Sequence, residues 1–161
     1  MADDVQERAS LEAGNASEGS AEVVIGGRYR LVAGSPLPDL DLGDAKAYVA
    51  QDSRNESEQL FMRICPPTAL PRMGIFNNLR HMMEASLLRP IEFGSIKRPG
   101  IAGNCTAIVF KRPEHGALMP AGANKIAAMQ PDEISRCVLG PAVLTLGYMS
   151  QRGLTHRSIR P

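Results

Sequence analysis

The sequence predicts an α+β protein: a five-stranded antiparallel sheet carrying one helix, followed by a long helix. Three observations predict it. Between Arg28 and Cys65, segments that alternate polar and apolar side chains are separated by turn residues, as half-buried strands require. From Ile75 to Met83 apolar residues recur at intervals of three and four, the spacing of one helix face. Two more apolar runs and a second helical stretch opening at Pro131 complete the pattern.

Residues 1–22 contribute nothing to that fold. They are rich in Ala, Ser, Gly, Asn and Glu, and ordering them would cost more conformational entropy than burial returns, so a disordered acidic tail is expected. Asp3, Asp4, Glu7, Glu12, Glu18 and Glu22 stand against Arg8 alone, a net −5 that leaves +6 on the rest of a chain whose total is +1. A short apolar run, Val23 to Ile25, meets Gly26-Gly27, and Arg28 to Ala33 reads as the first strand, stopped by Gly34, Ser35, Pro36 and Pro38. Ala45 to Gln51 reads as the second. The polar stretch Asp52 to Ser57 is a hairpin turn, and Gln59 to Cys65 makes the third strand.

Pro66, Pro67 and Pro71 end this meander. Ile75, Phe76, Leu79, Met82 and Met83 then face one way and Asn77, Asn78, Arg80 and His81 the other, an amphipathic helix of about three turns. Leu88 to Phe93 and Cys105 to Phe110 read as the last two strands, joined by a turn around Lys97 to Gly103. After a loop from Arg112 to Gln130, Pro131-Asp132-Glu133 opens a helix with proline at its first position and acids at its positive end. Ile134, Val138, Ala142, Leu146 and Met149 are expected on one face, with a bend at Pro141.

Composition narrows the function classes. With 161 residues, 43% hydrophobic and 22% charged, the chain has the makeup of a globular protein with one modest core. Its balanced charge gives no argument for nucleic-acid binding. Cys65, Cys105 and Cys137 are too few and too dispersed for a disulfide framework or a zinc knuckle, and His81, His115 and His156 lack ligand spacing, so no metal is expected and a reducing cytoplasm is the default. The apolar stretch Cys137 to Met149, broken by Gly140, Pro141 and Gly147, is not a membrane span.

The β-β-β-α-β-β order, a polar segment, a long helix and the closing HRSIRP (His156 to Pro161) together resemble the N-terminal part of the protein kinase fold. HRSIRP is similar to the catalytic-loop motif HRDLKP. The segments YRLV, AKAYVAQD, LFMRI, RPIEFG and AIVFKRPEHGAL stand in the order of the family's five small-lobe strands and hinge. The resemblance implies a kinase small-lobe-like domain over residues 27–111. Residues 112–161 would then be hinge, long helix and the start of an incomplete large lobe, with the metal-binding asparagine and DFG segment falling beyond Pro161.

The family's phosphotransfer groups are largely replaced. Between the first two strands stands GSPLPDLDLGDA, where Gly34 and Gly43 are too far apart for a phosphate cradle and Asp39, Asp41 and Asp44 would repel a triphosphate. Arg63 falls at the lysine position, with a planar fork in place of a point charge, and Phe61 at the small alanine that roofs the adenine. No acid lies between Ile75 and Leu79, where the helical glutamate belongs, and Glu84 comes too late to reach Arg63. Ser158 replaces the catalytic aspartate and cannot act as a base near neutral pH, Arg160 replaces the following lysine, and His156 is a packing position in the family.

The simultaneous loss of the glycine pattern, the strand lysine, the helical acid and the catalytic aspartate implies a catalytically inactive, pseudokinase-like segment that binds a protein partner or further domains of its own chain, without catalytic residues or cofactor. Self-association through the 131–149 helix is a further expectation, because its apolar face would need cover. The alternative is a fragment of a divergent serine/threonine-type protein kinase that binds ATP with magnesium and handles phosphate through Arg63 and Arg160. A third possibility is an unrelated α+β domain in which HRSIRP is accidental.

Overall fold

The computed structural model describes residues 23–98, 100–114 and 128–155. The expected acidic tail, most of the loop after Arg112 and the motif residues His156 to Pro161 lie outside them. No helix among the described residues is long and apolar enough to cross a membrane.

An α+β fold is observed, but its sheet has six strands. Val24–Ile25 (β1) pairs antiparallel with Tyr29–Pro36 (β2) through a turn in which Gly26 and Gly27 take φ of +60° and +63° and the Arg28 N–H donates to the Ile25 carbonyl at 3.1 Å. Only glycine adopts two successive left-handed conformations without steric cost, so the Gly-Gly pair makes the hairpin. β1 escapes a periodicity search because it is two residues long. β2 also runs past Gly34 and Ser35 to Pro36: its register against Lys46–Asp52 (β3) shifts between Leu31 and Pro36, a bulge in which Gly34 has φ +71°.

β3 pairs antiparallel with Asn55–Cys65 (β4), so the expected six-residue polar turn shrinks to Ser53-Arg54, and Asn55 to Ser57 are strand. Asp52 sets that corner, its carboxylate accepting the Arg54 N–H at 2.9 Å. Met73–Arg80 (α1) has eight residues, about two turns rather than three. The chain then turns again at Glu84 to Leu87, which places Met82 in the core from a loop and Glu84 outside the helix. Pro90–Lys97 (β5) and Asn104–Lys111 (β6) form the last hairpin, and the sheet order is β1-β2-β3-β4-β6-β5, antiparallel throughout.

The sheet curls until its edges nearly meet, with the Ile25 side chain of β1 lying against Gly94 of β5. A Cβ at Gly94 would stand 3.3 Å from that side chain, so the approach uses the missing side chain. Ile25, Tyr29, Leu60, Met62, Ile64, Ile96 and Val109 fill the enclosed side. On the other side Phe61, Cys65, Ile108 and Phe110 are buried beneath Leu37 and Leu40 of the β2–β3 connection and Phe76 of α1. Burial on both faces explains why β6 is buried from Cys105 through Phe110 without alternation.

The second helical stretch runs as Pro131–Ile134 (α2), a π-helical turn at Ser135–Leu139 and Gly140–Ser150 (α3). Pro141 has no N–H for the Cys137 carbonyl, and the ladder widens just before it, the Gly140 N–H donating to the Ser135 carbonyl. The inserted residue rotates the faces on either side. The expected single stripe is therefore broken: Met149 is buried, Val138 and Leu146 are half-buried, and Ile134 and Ala142 are exposed.

Candidate functional site

β4 is a central strand, flanked by β3 and β6, and its alternation puts Phe61, Arg63 and Cys65 on one face and Leu60, Met62 and Ile64 on the other. Phe61 pairs in register with Phe110 of β6, and the two rings stack with centroids 5.1 Å apart and planes 19° from parallel. Both are buried, Phe61 completely. One pleat along, the Arg63 guanidinium lies over both rings, 5.6 Å from the Phe61 centroid and 5.5 Å from that of Phe110.

The β2–β3 connection closes over this cluster. It contains a short 3₁₀ turn at Pro38–Leu40, and the Leu40 carbonyl accepts from Arg63 Nη2 at 2.7 Å and Nε at 3.2 Å. The Leu37 N–H donates to the Ala47 carbonyl, and Asp41 accepts from the Ala47 N–H at 2.8 Å and Lys46 Nζ at 2.9 Å. Burial pushes the Arg63 guanidinium below its ordinary pKa and the Cys65 thiol above its own. A half-buried cation whose hydrogen bonds end on one neutral carbonyl is the chemical peculiarity of this face.

The structure thus brings Phe61 and Arg63 together and leaves Glu84 away from them: Glu84 Oε1 accepts the Ser86 N–H in the loop after α1. α1 instead offers Arg80, which meets Glu92 of β5 at 3.4 Å while lying over the Phe93 ring. His156, Ser158 and Arg160 lie outside the described residues. Among the described residues no group of three or more His, Cys, Asp or Glu could hold a metal ion. A cleft of about 790 Å³ lies elsewhere, between Arg28, Glu58, Leu87, Arg89 and Arg112.

Sequence reasoning missed two features. Asp52, read as a turn residue, is fully buried and takes both Arg28 Nε and Nη2, at 2.7 and 2.5 Å. The Arg28 guanidinium holds the Asp52 carboxyl down to about 2. Leu40 is the other, since its role lies in a backbone carbonyl that no side-chain pattern marks. A signal for Asp52 did exist: the aspartate ends an alternating run on an inward position of β3.

No family model and no curated protein matches this chain.

Proposed function

We propose that this chain is a kinase-like module without phosphotransfer chemistry, working as a protein-binding or regulatory element. The observation that carries the reading is the state of the face where the resemblance puts the nucleotide. Phe61 fills it, and Arg63 is engaged by the Leu40 carbonyl. A base would have to displace a fully buried ring, and a phosphate would have to displace a hydrogen-bonded carbonyl. Strand order supports the same reading: three consecutive antiparallel strands, a helix and a hairpin whose second strand pairs with the third of the meander. In this reading β1 is an addition to a five-stranded small-lobe sheet.

The partner surface in this proposal is the last helix. Leu139, Val143 and Leu144 are 55%, 67% and 67% exposed on a stretch, Cys137 to Ser150, that carries no charged residue. Apolar area of that kind is a binding surface for protein, or for a second copy of the chain. The three cysteines are free thiols, which fits a reducing cytoplasm as the place of action.

The reading is tested by phosphotransfer. The chain and its Arg63→Ala variant are incubated with γ-labelled ATP, magnesium and generic protein substrates. No transfer above background is expected from either, and label transfer that disappears with Arg63→Ala would establish the divergent kinase instead.

A further inference from the structure

We propose that the partner of the last helix is a second copy of this chain, packed antiparallel across a two-fold axis at Val143, with Leu139 of each copy seated in the notch at Gly147 of the other. This names the occupant of the surface that the preceding reading gives to a protein partner, and it rests on that reading for the choice of surface.

One side of α3 is covered and the other is open. Met149 is buried, and Pro141, Thr145 and Tyr148 are half-buried. The open side presents Leu139, Val143 and Gly147 at intervals of four residues, with Leu144 beside them, all exposed. From Cys137 to Ser150 no residue is charged, so two copies of this stretch meet without stripping water from a charge or opposing like charges.

Gly147 has no use inside the chain. A glycine weakens a helix relative to alanine, and a Cβ at Gly147 would meet nothing within 4 Å. Gly140 differs, because a Cβ there would lie 3.2 Å from the Ser135 carbonyl oxygen, where the ladder widens. Open space alone marks no notch, since Gly74 of α1 has it too. Gly147 is singled out by register: it follows Val143 by four residues, as Leu139 precedes it by four. A two-fold axis at Val143 therefore sets a large side chain against a missing one twice over, with Val143 against itself. The notch also lets the two backbones come close, as helix packing distance follows the side chains at the contact.

The helix ends set the direction. The opening turns carry Asp132, Glu133 and Arg136, an excess of one acid, and Arg152 follows the last turn, lying over the Tyr148 ring. Antiparallel copies bring the acidic end of one to the basic end of the other and oppose the two helix dipoles. Parallel copies would set like ends together.

Analytical ultracentrifugation of the full chain under reducing conditions, from micromolar to near-millimolar concentration, tests the proposal. The native chain should form a dimer that dissociates on dilution. Gly147→Leu, which sets leucine against leucine, should raise the dimer Kd at least about tenfold, and Leu139→Ala/Gly147→Leu, which exchanges knob and notch, should recover it. Under oxidised glutathione, Val143→Cys in a Cys137→Ser background should give a disulfide-linked dimer, because a residue on the axis meets itself. The exposed native thiol of Cys137 should give none, since antiparallel copies hold its two positions ~18 Å apart along the helix axis. A native chain that stays monomeric overturns the proposal and gives the face to a different protein or to further domains of the chain. A dimer indifferent to Gly147→Leu, a loss that the double variant does not recover, or cross-linking through Cys137 overturns it as well. Should a leucine variant fail to fold, the two cysteine results decide. No readout involves phosphotransfer, so a monomer without transferase activity overturns only this proposal, and a dimer that transfers phosphate overturns only the preceding reading.

Discussion

Replacing Phe61 by alanine removes the ring that fills the centre of the outer core. Phe61 is fully buried and stacked on Phe110, so the substitution loses ring burial, the stacking contact and the packing of Leu40 and Arg63 above it. Roughly 150 Å² of aromatic surface at about 25 cal/mol/Å² is ~4 kcal/mol, and the aromatic pair adds about 0.5–1.5 kcal/mol. Partial collapse of the site lowers the sum, and about 3–5 kcal/mol is the expected loss for a buried Phe→Ala. That is a large share of the roughly 5–15 kcal/mol that holds a domain together. With no Trp in the chain, urea unfolding is followed by far-UV circular dichroism, and the midpoint should fall with little change in slope. A loss below about 1 kcal/mol would refute the burial of Phe61, and with it the argument that this ring closes the face. The Phe61→Ala/Phe110→Ala cycle should return a coupling of about 0.5–1.5 kcal/mol.

Other outcomes follow from named contacts. The folded carboxyl of Asp52 lies near 2 against an ordinary 3.8, so the unfolded state binds its proton first and the pair's contribution is present above pH 4. It should be lost as pH falls from about 4 through 2, and Asp52→Asn should flatten that acid limb in denaturation curves taken at successive pH values; an unchanged limb would contradict the pairing with Arg28. Gly26→Ala places a side chain at φ +60° with its Cβ 3.4 Å from Glu92, and should destabilise the chain by about 1–2 kcal/mol in the same unfolding assay. Gly74→Ala, in α1 with open space around it, should stabilise by up to about 1 kcal/mol, and a loss there would contradict the helix. Arg80→Ala should cost less than about 1 kcal/mol, because its pair with Glu92 is partly exposed.

The sequence carried the parts of this fold that depend on side-chain period. Lys46–Asp52 and the inner part of Asn55–Cys65 fall where the strand pattern puts them, although β4, covered on both faces, is buried continuously from Leu60 to Met62. What it concealed depends on backbone geometry or distant partners. β1 is made by two glycines in left-handed conformations, and β2 passes Gly34 through a bulge, where local rules say stop. α1 is shorter than its apolar spacing because Met82 reaches the core from a loop, a position that mimics another helical turn. At the candidate site, the kinase resemblance is what marks Phe61 and Arg63, and the strand period then puts both on one face of β4. Their cover had no such mark, because a carbonyl at Leu40, 23 residues away, carries the contact.

The most direct measurement is a titration of the native chain with ATP and magnesium, followed by thermal unfolding and by calorimetry. A face closed by Phe61 and the Leu40 carbonyl predicts an unchanged Tm and no heat of binding up to millimolar nucleotide. A Tm that climbs with ATP concentration, requires magnesium and is abolished by Arg63→Ala would contradict it, and would make this face a working nucleotide site.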